Sequence, residues 1–277
     1  MTIRMNRRAV LAGAAALAAA QGAQGASAGC AALAVRALPV GTRGGLEVGL
    51  RSYPRTLPLA DGEVVLTFDD GPAATTPRVL EALACAGARA TFFVIGRNAL
   101  AQPALMRRIA ADGHTLACHT FSHPWTLRER STAVGEKEIL SGFDAISDSL
   151  GRKAAPFFRY PGFADTAPLN AFLAERDIGI FGCDLWASDW TPMAPATQLA
   201  LVMGRLRRAR RGIVLFHDTQ AQTAAMLPGF LAALAQEGFR IAHTTEGSGR
   251  TQTLPAPAGW SSDTERMIAI ARGRSRA

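Results

Sequence analysis

The 277-residue chain has only four cysteines, Cys30, Cys85, Cys118 and Cys183, and no two of them form a CxxC pair. That spacing excludes a thiolate zinc finger and a thioredoxin-like redox motif. No apolar run reaches the roughly eighteen residues that a membrane-spanning helix needs. Acids are missing from positions 1–28, which hold three arginines, and are scarce over 248–277, where five arginines face two acids. Most of the net charge of +8 therefore belongs to the two ends, and between them 22 basic residues stand against 20 acidic ones. A nearly neutral centre, with no basic face interleaved with aromatics, argues against a nucleic-acid partner. No repeat of fixed period runs through the chain, so a solenoid is excluded. The sequence does have 48% hydrophobic residues, enough to bury a full core.

The N-terminus has a basic start, an Ala/Leu-rich stretch from Ala9 to about Ala20, and small residues around Ala26-Ser27-Ala28. Residues 1–28 thus read as an export signal with a cleavage site. Arg7-Arg8 followed by Ala9-Val10-Leu11 resembles a twin-arginine signal, although an ordinary secretory signal carrying two arginines fits the same letters. Ser27-Ala28-Gly29-Cys30 has the outline of a lipoprotein processing site but lacks an aliphatic residue three before the cysteine, which weighs against a lipid anchor at Cys30. The expectation is an exported protein, periplasmic or extracellular. It would have a lead-in over 29–61, a main domain over 62–247 and a basic extension over 248–277. A disulfide is permitted in such a compartment but not demanded by a core of this size, and Cys85 and Cys118 are expected as small buried residues.

Between Glu63 and Thr244 short apolar runs alternate with helical stretches. The strands are expected at Val64–Phe68, Thr91–Ile95, His114–Cys118, Pro156–Tyr160, Ile178–Cys183, Gly212–Phe216 and Phe239–Ala242. Helices are expected at 77–86, 103–112, 129–150, 167–176, 196–210 and 223–237. Pro77 and Pro103 stand where a first helical turn accepts proline, and Gly87, Gly113, Gly151 and Gly238 stand just past helix ends. Near-continuous apolar strands, each followed by a helix, indicate parallel strands covered by helices. Seven such strands point to an α/β barrel, whose chemistry collects at the carboxyl ends of its strands.

Those ends carry a consistent set of residues. The first expected strand runs into Asp69-Asp70-Gly71-Pro72, two carboxylates that alternation along a strand points in different directions. Alone they could be a solvated Asp-Gly turn. The third runs into His119-Thr120-Phe121-Ser122-His123, and two imidazoles four apart would share one side of a helical turn. Neutral imidazoles are common metal ligands, and Asp, His and His form a three-ligand set that leaves positions open for water and substrate. Arg159 ends the fourth strand, where it could pair with Asp69. Asp184-Leu185-Trp186-Ala187-Ser188-Asp189-Trp190 follows the fifth, aromatics beside acids as in a sugar cleft or, more blandly, a core. Leu215-Phe216-His217-Asp218 ends the sixth.

These motifs, in this order over Thr67–Asp218, resemble the polysaccharide deacetylase family, carbohydrate esterase family four with the NodB homology domain. The resemblance implies a distorted (β/α)7-type barrel and metal-dependent removal of N-acetyl groups from a glycan, whether peptidoglycan, chitin-like or poly-N-acetylglucosamine. It implies Asp70, His119 and His123 as ligands of a divalent cation, zinc first, with cobalt and nickel as alternatives. Asp69 matches the general base and Arg159 its partner. His217 matches the general acid and Asp189 the carboxylate that orients it. Leu215 and Trp190 match the walls of the acetyl-methyl pocket. In the family's Arg-Pro-Pro-Tyr-Gly motif the tyrosine amide helps bind the oxyanion; here Arg159-Tyr160-Pro161-Gly162 puts glycine at that spot, which keeps a backbone donor and leaves the loop shape open. An acetylxylan esterase would present the same carbonyl to the same site, and a non-catalytic glycan-binding protein would retain only the groove. A nearby cation and Arg159 are expected to hold Asp69 ionised to low pH, and Asp189 to favour the imidazolium of His217.

Overall fold

The computed structural model describes residues 30–274. The export signal expected at 1–28 and the end of the basic extension lie outside the described residues. Among the described residues twelve strands occur: β1 (Val35–Val40), β2 (Leu46–Val48), β3 (Arg55–Thr56), β4 (Glu63–Asp69), β5 (Thr91–Val94), β6 (Thr115–Cys118), β7 (Phe157–Phe158), β8 (Gly179–Phe181), β9 (Leu185–Trp186), β10 (Gly212–His217), β11 (Arg240–Glu246) and β12 (Leu254–Pro255). The helices are α1 (Thr76–Cys85), α2 (Gly96–Ala101), α3 (Pro103–Ala111), α4 (Thr132–Leu150), α5 (Ala167–Ala174), α6 (Pro195–Ala209), α7 (Ala221–Gln236) and α8 (Asp263–Arg274).

The expected strand and helix alternation is present, with two refinements. The fifth expected strand is shortened to β8, and β9 and α2 fill stretches with no expected element. Pro77 and Pro103 do open helices, and Gly151, at φ 67°, closes α4 in a left-handed conformation.

Strands β5, β6, β7 and β8 follow in parallel from one edge of β4, and β10 and then β9 follow from the other. Among the described residues β8 and β9 are not paired with each other, which is where the barrel is distorted. The segment expected as a lead-in supplies two strands to the same ten-stranded sheet, β1 beside β11 and β2 beside β8. Past residue 248, β12 pairs antiparallel with β3. None of the described helices is long and apolar enough to cross a membrane. Cys118 is buried as expected, whereas Cys85 is exposed and disulfide-bonded.

Side-chain alternation sorts each strand into two faces. Val64, Leu66 and Phe68, Phe92 and Val94, Leu116 and Cys118, and Phe158 pack under the helices. Val65, Phe93, Ala117, Phe157, Ile213 and Leu215 fill the barrel interior. Continuing that inner parity past each strand end gives Thr67 and Asp69, His119, Arg159 and His217. The residues expected to do chemistry therefore stand on top of the interior core, directed there by the same period of two.

Candidate active site

Arg159 is completely buried, and its fixed fork of donors is used in full view of the interior. Its Nε donates to Phe181 O at 3.0 Å, one terminal nitrogen to Gly182 O at 2.8 Å, and the other to Thr67 Oγ1 at 2.9 Å and Asp69 Oδ1 at 2.7 Å. The ring of Phe93 lies under the guanidinium, 4.2 Å from its carbon. Asp69 is thus held by one oxygen, while Oδ2 faces His119 Nε2 at 3.9 Å. Burial pushes the Asp69 carboxyl up from its ordinary value, and Arg159, His217 and His123 pull it back only in part. Among the chain's own groups, desolvation of this wholly buried acid outweighs one ion pair; the expected hold on its ionised form also counts the charge of a cation beside it.

Opposite, β10 and β4 run in register so that His217 lies beside Asp69 on the sheet. Asp189 accepts from the His217 ring at Nδ1, 2.8 Å, and from the His217 amide at 2.6 Å. Thr223 donates to the same carboxylate at 2.7 Å, and the Gln222 amide holds the Asp189 carbonyl at 2.6 Å, so the start of α7 locks this acid in place. Burial lowers the imidazole's affinity for a proton, but the Asp189 hydrogen bond and charge, with Asp69 and Asp70, reverse this and bring its pKa up to about 9. With Nδ1 committed, Nε2 is the atom left to face the cavity.

The two histidines meet by a route other than the expected helical turn. His119 leaves β6 and His123 lies in the following loop, where Thr120 and His123 both adopt positive φ, 65° and 60°. Those two left-handed residues fold the chain back so that the imidazoles stand 4.9 Å apart, centroid to centroid. Residues with a Cβ rarely take this conformation, so the loop is held by its surroundings. The Thr120 hydroxyl accepts from the His123 amide at 3.0 Å, and Glu138 accepts from the Ser122 amide at 2.9 Å.

The chemistry of the donors fits a cation. The His119 Nδ1–H donates to Arg159 O at 2.7 Å, which leaves the Nε2 lone pair pointing at Asp70 Oδ1, 3.5 Å away. His123 Nε2 lies 3.2 Å from the same oxygen. Burial lowers the pKa of both rings, that of His119 to about 3, so they are neutral. Asp70 Oδ1 is itself buried and has no hydrogen-bond partner. Three lone-pair donors within 4.8 Å of one another, with no proton between them, make a site that a divalent cation would satisfy.

A cavity of about 250 Å3 opens over these groups, with Asp69, His119, His123 and His217 at its base. Gly162, Trp190 and Leu215 line it, as the sequence reading expected, while Arg159 and Asp189 stand behind it. Several of its wall residues had no expected role, Trp125 and Met267 among them. Trp125, 70% exposed, packs edge-on against His123 at 4.7 Å. Met267 arrives from α8, far along the chain. A tryptophan two residues past a candidate ligand is a signal that the sequence carries; Met267 has none. Gly162 has φ 56°, and a Cβ there would sit 3.1 Å from the Trp125 ring. The glycine that departs from the family motif thus leaves the space that Trp125 occupies. Asp218, buried beneath the Asp69-Asp70 turn, accepts from Thr76 Oγ1 at 2.5 Å, and a side chain on Gly71 would collide with it.

The profile of the family described as polysaccharide deacetylase matches residues 57–176. A chitooligosaccharide deacetylase of Bradyrhizobium sp. (strain ANU 289) is 32% identical over 193 residues, spanning 64% of this chain and 87% of the relative. Among solved structures, a peptidoglycan deacetylase of Bdellovibrio bacteriovorus superposes with a TM-score of 0.71 at 31% identity, over 78% of this chain and 60% of that one. A family 4 carbohydrate esterase of Streptomyces lividans, solved in complex with acetate, gives 0.60 at 29% identity over 68% and 94%. Sequence match, barrel topology and metal-fitting donor set agree: the chain belongs to the polysaccharide deacetylases, carbohydrate esterase family four with the NodB homology domain.

Proposed function

We propose that this protein is an exported deacetylase that hydrolyses the N-acetyl group of an aminosugar in a chitooligosaccharide-like or peptidoglycan-like glycan. The observation that carries this reading is a carboxylate, Asp69, and an imidazole with a raised pKa, His217, paired on neighbouring strands and lining one cavity with the donor set's His119 and His123. Asp70, His119 and His123 would hold a divalent cation, zinc first with cobalt and nickel as alternatives, which would supply positive charge to polarise the acetyl carbonyl and acidify water.

The remaining work falls to the chain's own groups. Asp69, anchored through Oδ1 to Arg159, offers Oδ2 as the base that removes a proton from the attacking water. The Gly162 amide donates to the oxygen that becomes negative as the carbonyl is attacked. His217, its Nδ1 bound to Asp189, protonates the departing nitrogen from Nε2, because an amine leaves poorly as its anion. Leu215 and Trp190 receive the acetyl methyl. Export is supported by the signal-like first 28 residues and by the disulfides at Cys85 and Cys30, which belong to an oxidising compartment. The disulfide bonding of Cys30 weighs against a thioether-linked lipid there.

The test is acetate release from acetylated chitooligosaccharide and peptidoglycan by apoprotein resupplied with zinc, cobalt or nickel. Activity that is abolished by chelation and restored by metal is expected; release from acetylated xylan alone would overturn the amide assignment.

A further inference from the structure

Helix α8 lies beyond residue 176, where the family profile ends, yet it contributes to the catalytic cavity. Its start is tied to the loop after β2. The Trp260 indole donates to Leu50 O at 2.6 Å, the Thr264 amide donates to Arg51 O at 3.1 Å, and Arg51 pairs with Asp263. Ser262 Oγ accepts from the Glu265 amide at 3.2 Å and so caps the first turn. A second tie comes from Arg128, in the short helical turn Leu127–Glu129 that follows Trp125. Its guanidinium reaches Asp165 at 2.9 Å, just past the Gly162 turn, and Glu265 at 2.6 Å on α8. One arginine therefore joins the three segments that surround the cavity mouth: the His123 loop, the Gly162 turn and α8.

The face that α8 turns outward beside that mouth is apolar. Met267 lines the cavity and is 46% exposed, and Ile270, three residues on and hence on the same side, is 57% exposed. The surface continues through Trp125 on one flank and Trp190 on the other, the latter 48% exposed and edge-on to His217 at 5.9 Å. Aromatic and thioether surfaces suit the apolar faces of sugar rings, whose hydroxyls remain at the rim.

We propose that α8 is a built-in subsite: Met267 and Ile270 carry the sugar unit next to the one being deacetylated, and the chain therefore prefers oligomeric glycan over a short one. This rests on the deacetylase reading above and adds to it a substrate length and the residues that select it. Met267 and Ile270 touch substrate away from the reacting atoms, so their loss is read in KM and affinity rather than in turnover.

The experiment compares fully N-acetylated chitopentaose with chitobiose on the zinc-loaded full chain, by acetate release and, independently of turnover, by calorimetric binding. Met267→Ala/Ile270→Ala should raise KM and Kd for the pentamer about fivefold, the scale of one partly buried apolar side chain, with kcat and zinc content kept. Both residues are exposed, so the fold is not at risk. Arg128→Ala, which unties the helix without touching the apolar face, should move the same ratio in the same direction. An unchanged pentamer-to-dimer ratio in both variants overturns the proposal. So does a dimer in sedimentation that the double substitution dissolves without altering that ratio, because the face would then belong to a second copy. Zinc-loaded protein that binds pentamer in a Met267-dependent way but releases no acetate would refute the deacetylase reading while the subsite stands.

Discussion

The two sides of the site bear charge by different means. On the side of the proposed base, Asp69 ends β4 and Arg159 directly follows β7, inside the barrel, with the guanidinium wholly buried and its donors spent on carbonyls, a hydroxyl and the carboxylate. On the acid side, His217 ends a strand but its partner Asp189 sits in a loop and is gripped by Thr223 and Gln222 of α7. Burial dominates the first pair and raises Asp69; the partner's charge and hydrogen bond prevail in the second and raise His217. A base needs only to be held and shielded, whereas an acid must keep its proton near neutral pH, so the negative partner is placed on the acid.

That contrast can be broken most violently at Arg159. Arg159→Ala strands a buried carboxylate, and urea unfolding should register a loss of about 3–5 kcal/mol, the range for removing one partner of a buried pair. Next in size, Asp69→Asn should cut turnover at least ~10²-fold while metal analysis shows the cation retained. Asp70→Asn should instead lose the metal; the reverse outcome would exchange the roles of the two carboxylates.

The acid side should fail more gently. The folded pKa of His217, about 9, lies above the ordinary imidazole value, so its protonated form contributes stability that is full below about pH 6.5 and lost as pH rises through about 9. Activity requiring that proton should fall over the same upper range. In Asp189→Asn the alkaline limb of the pH–rate profile should move to lower pH with metal content intact. In the metal-free protein, carbon-13 NMR should find the Asp69 carboxyl titrating above its ordinary value, because burial raises it. The smallest effect is expected at Gly162. Gly162→Ala puts a Cβ at positive φ and against the Trp125 ring, a cost of about 1 kcal/mol in stability by thermal denaturation, together with a loosened Trp125 wall.

Much of the fold could be read from the chain because its signals are local. The apolar runs of β4, β5, β6 and β10, the prolines that open α1 and α3, and the glycine that closes α4 each act within a few residues. The short strands β7 and β9, two residues each, carry too little pattern to delimit, and β1 and β2 gain their meaning only from partners more than a hundred residues away. At the site the grouping of Asp70, His119 and His123 was legible, but its geometry was not: a spacing of four suggested a helix, whereas positive φ at Thr120 and His123 brings the rings together in a loop.

The sequence by itself determined which residue types stand at the strand ends and, through the period of two, which of them face inward, because both follow from local backbone geometry. Only the tertiary structure decided that burial outweighs Arg159 at Asp69, that Trp125 takes the space above Gly162, and that Met267 joins a cavity built some fifty residues and more upstream. Desolvation and packing depend on every neighbour at once, and those neighbours are assembled by the fold from distant parts of the chain.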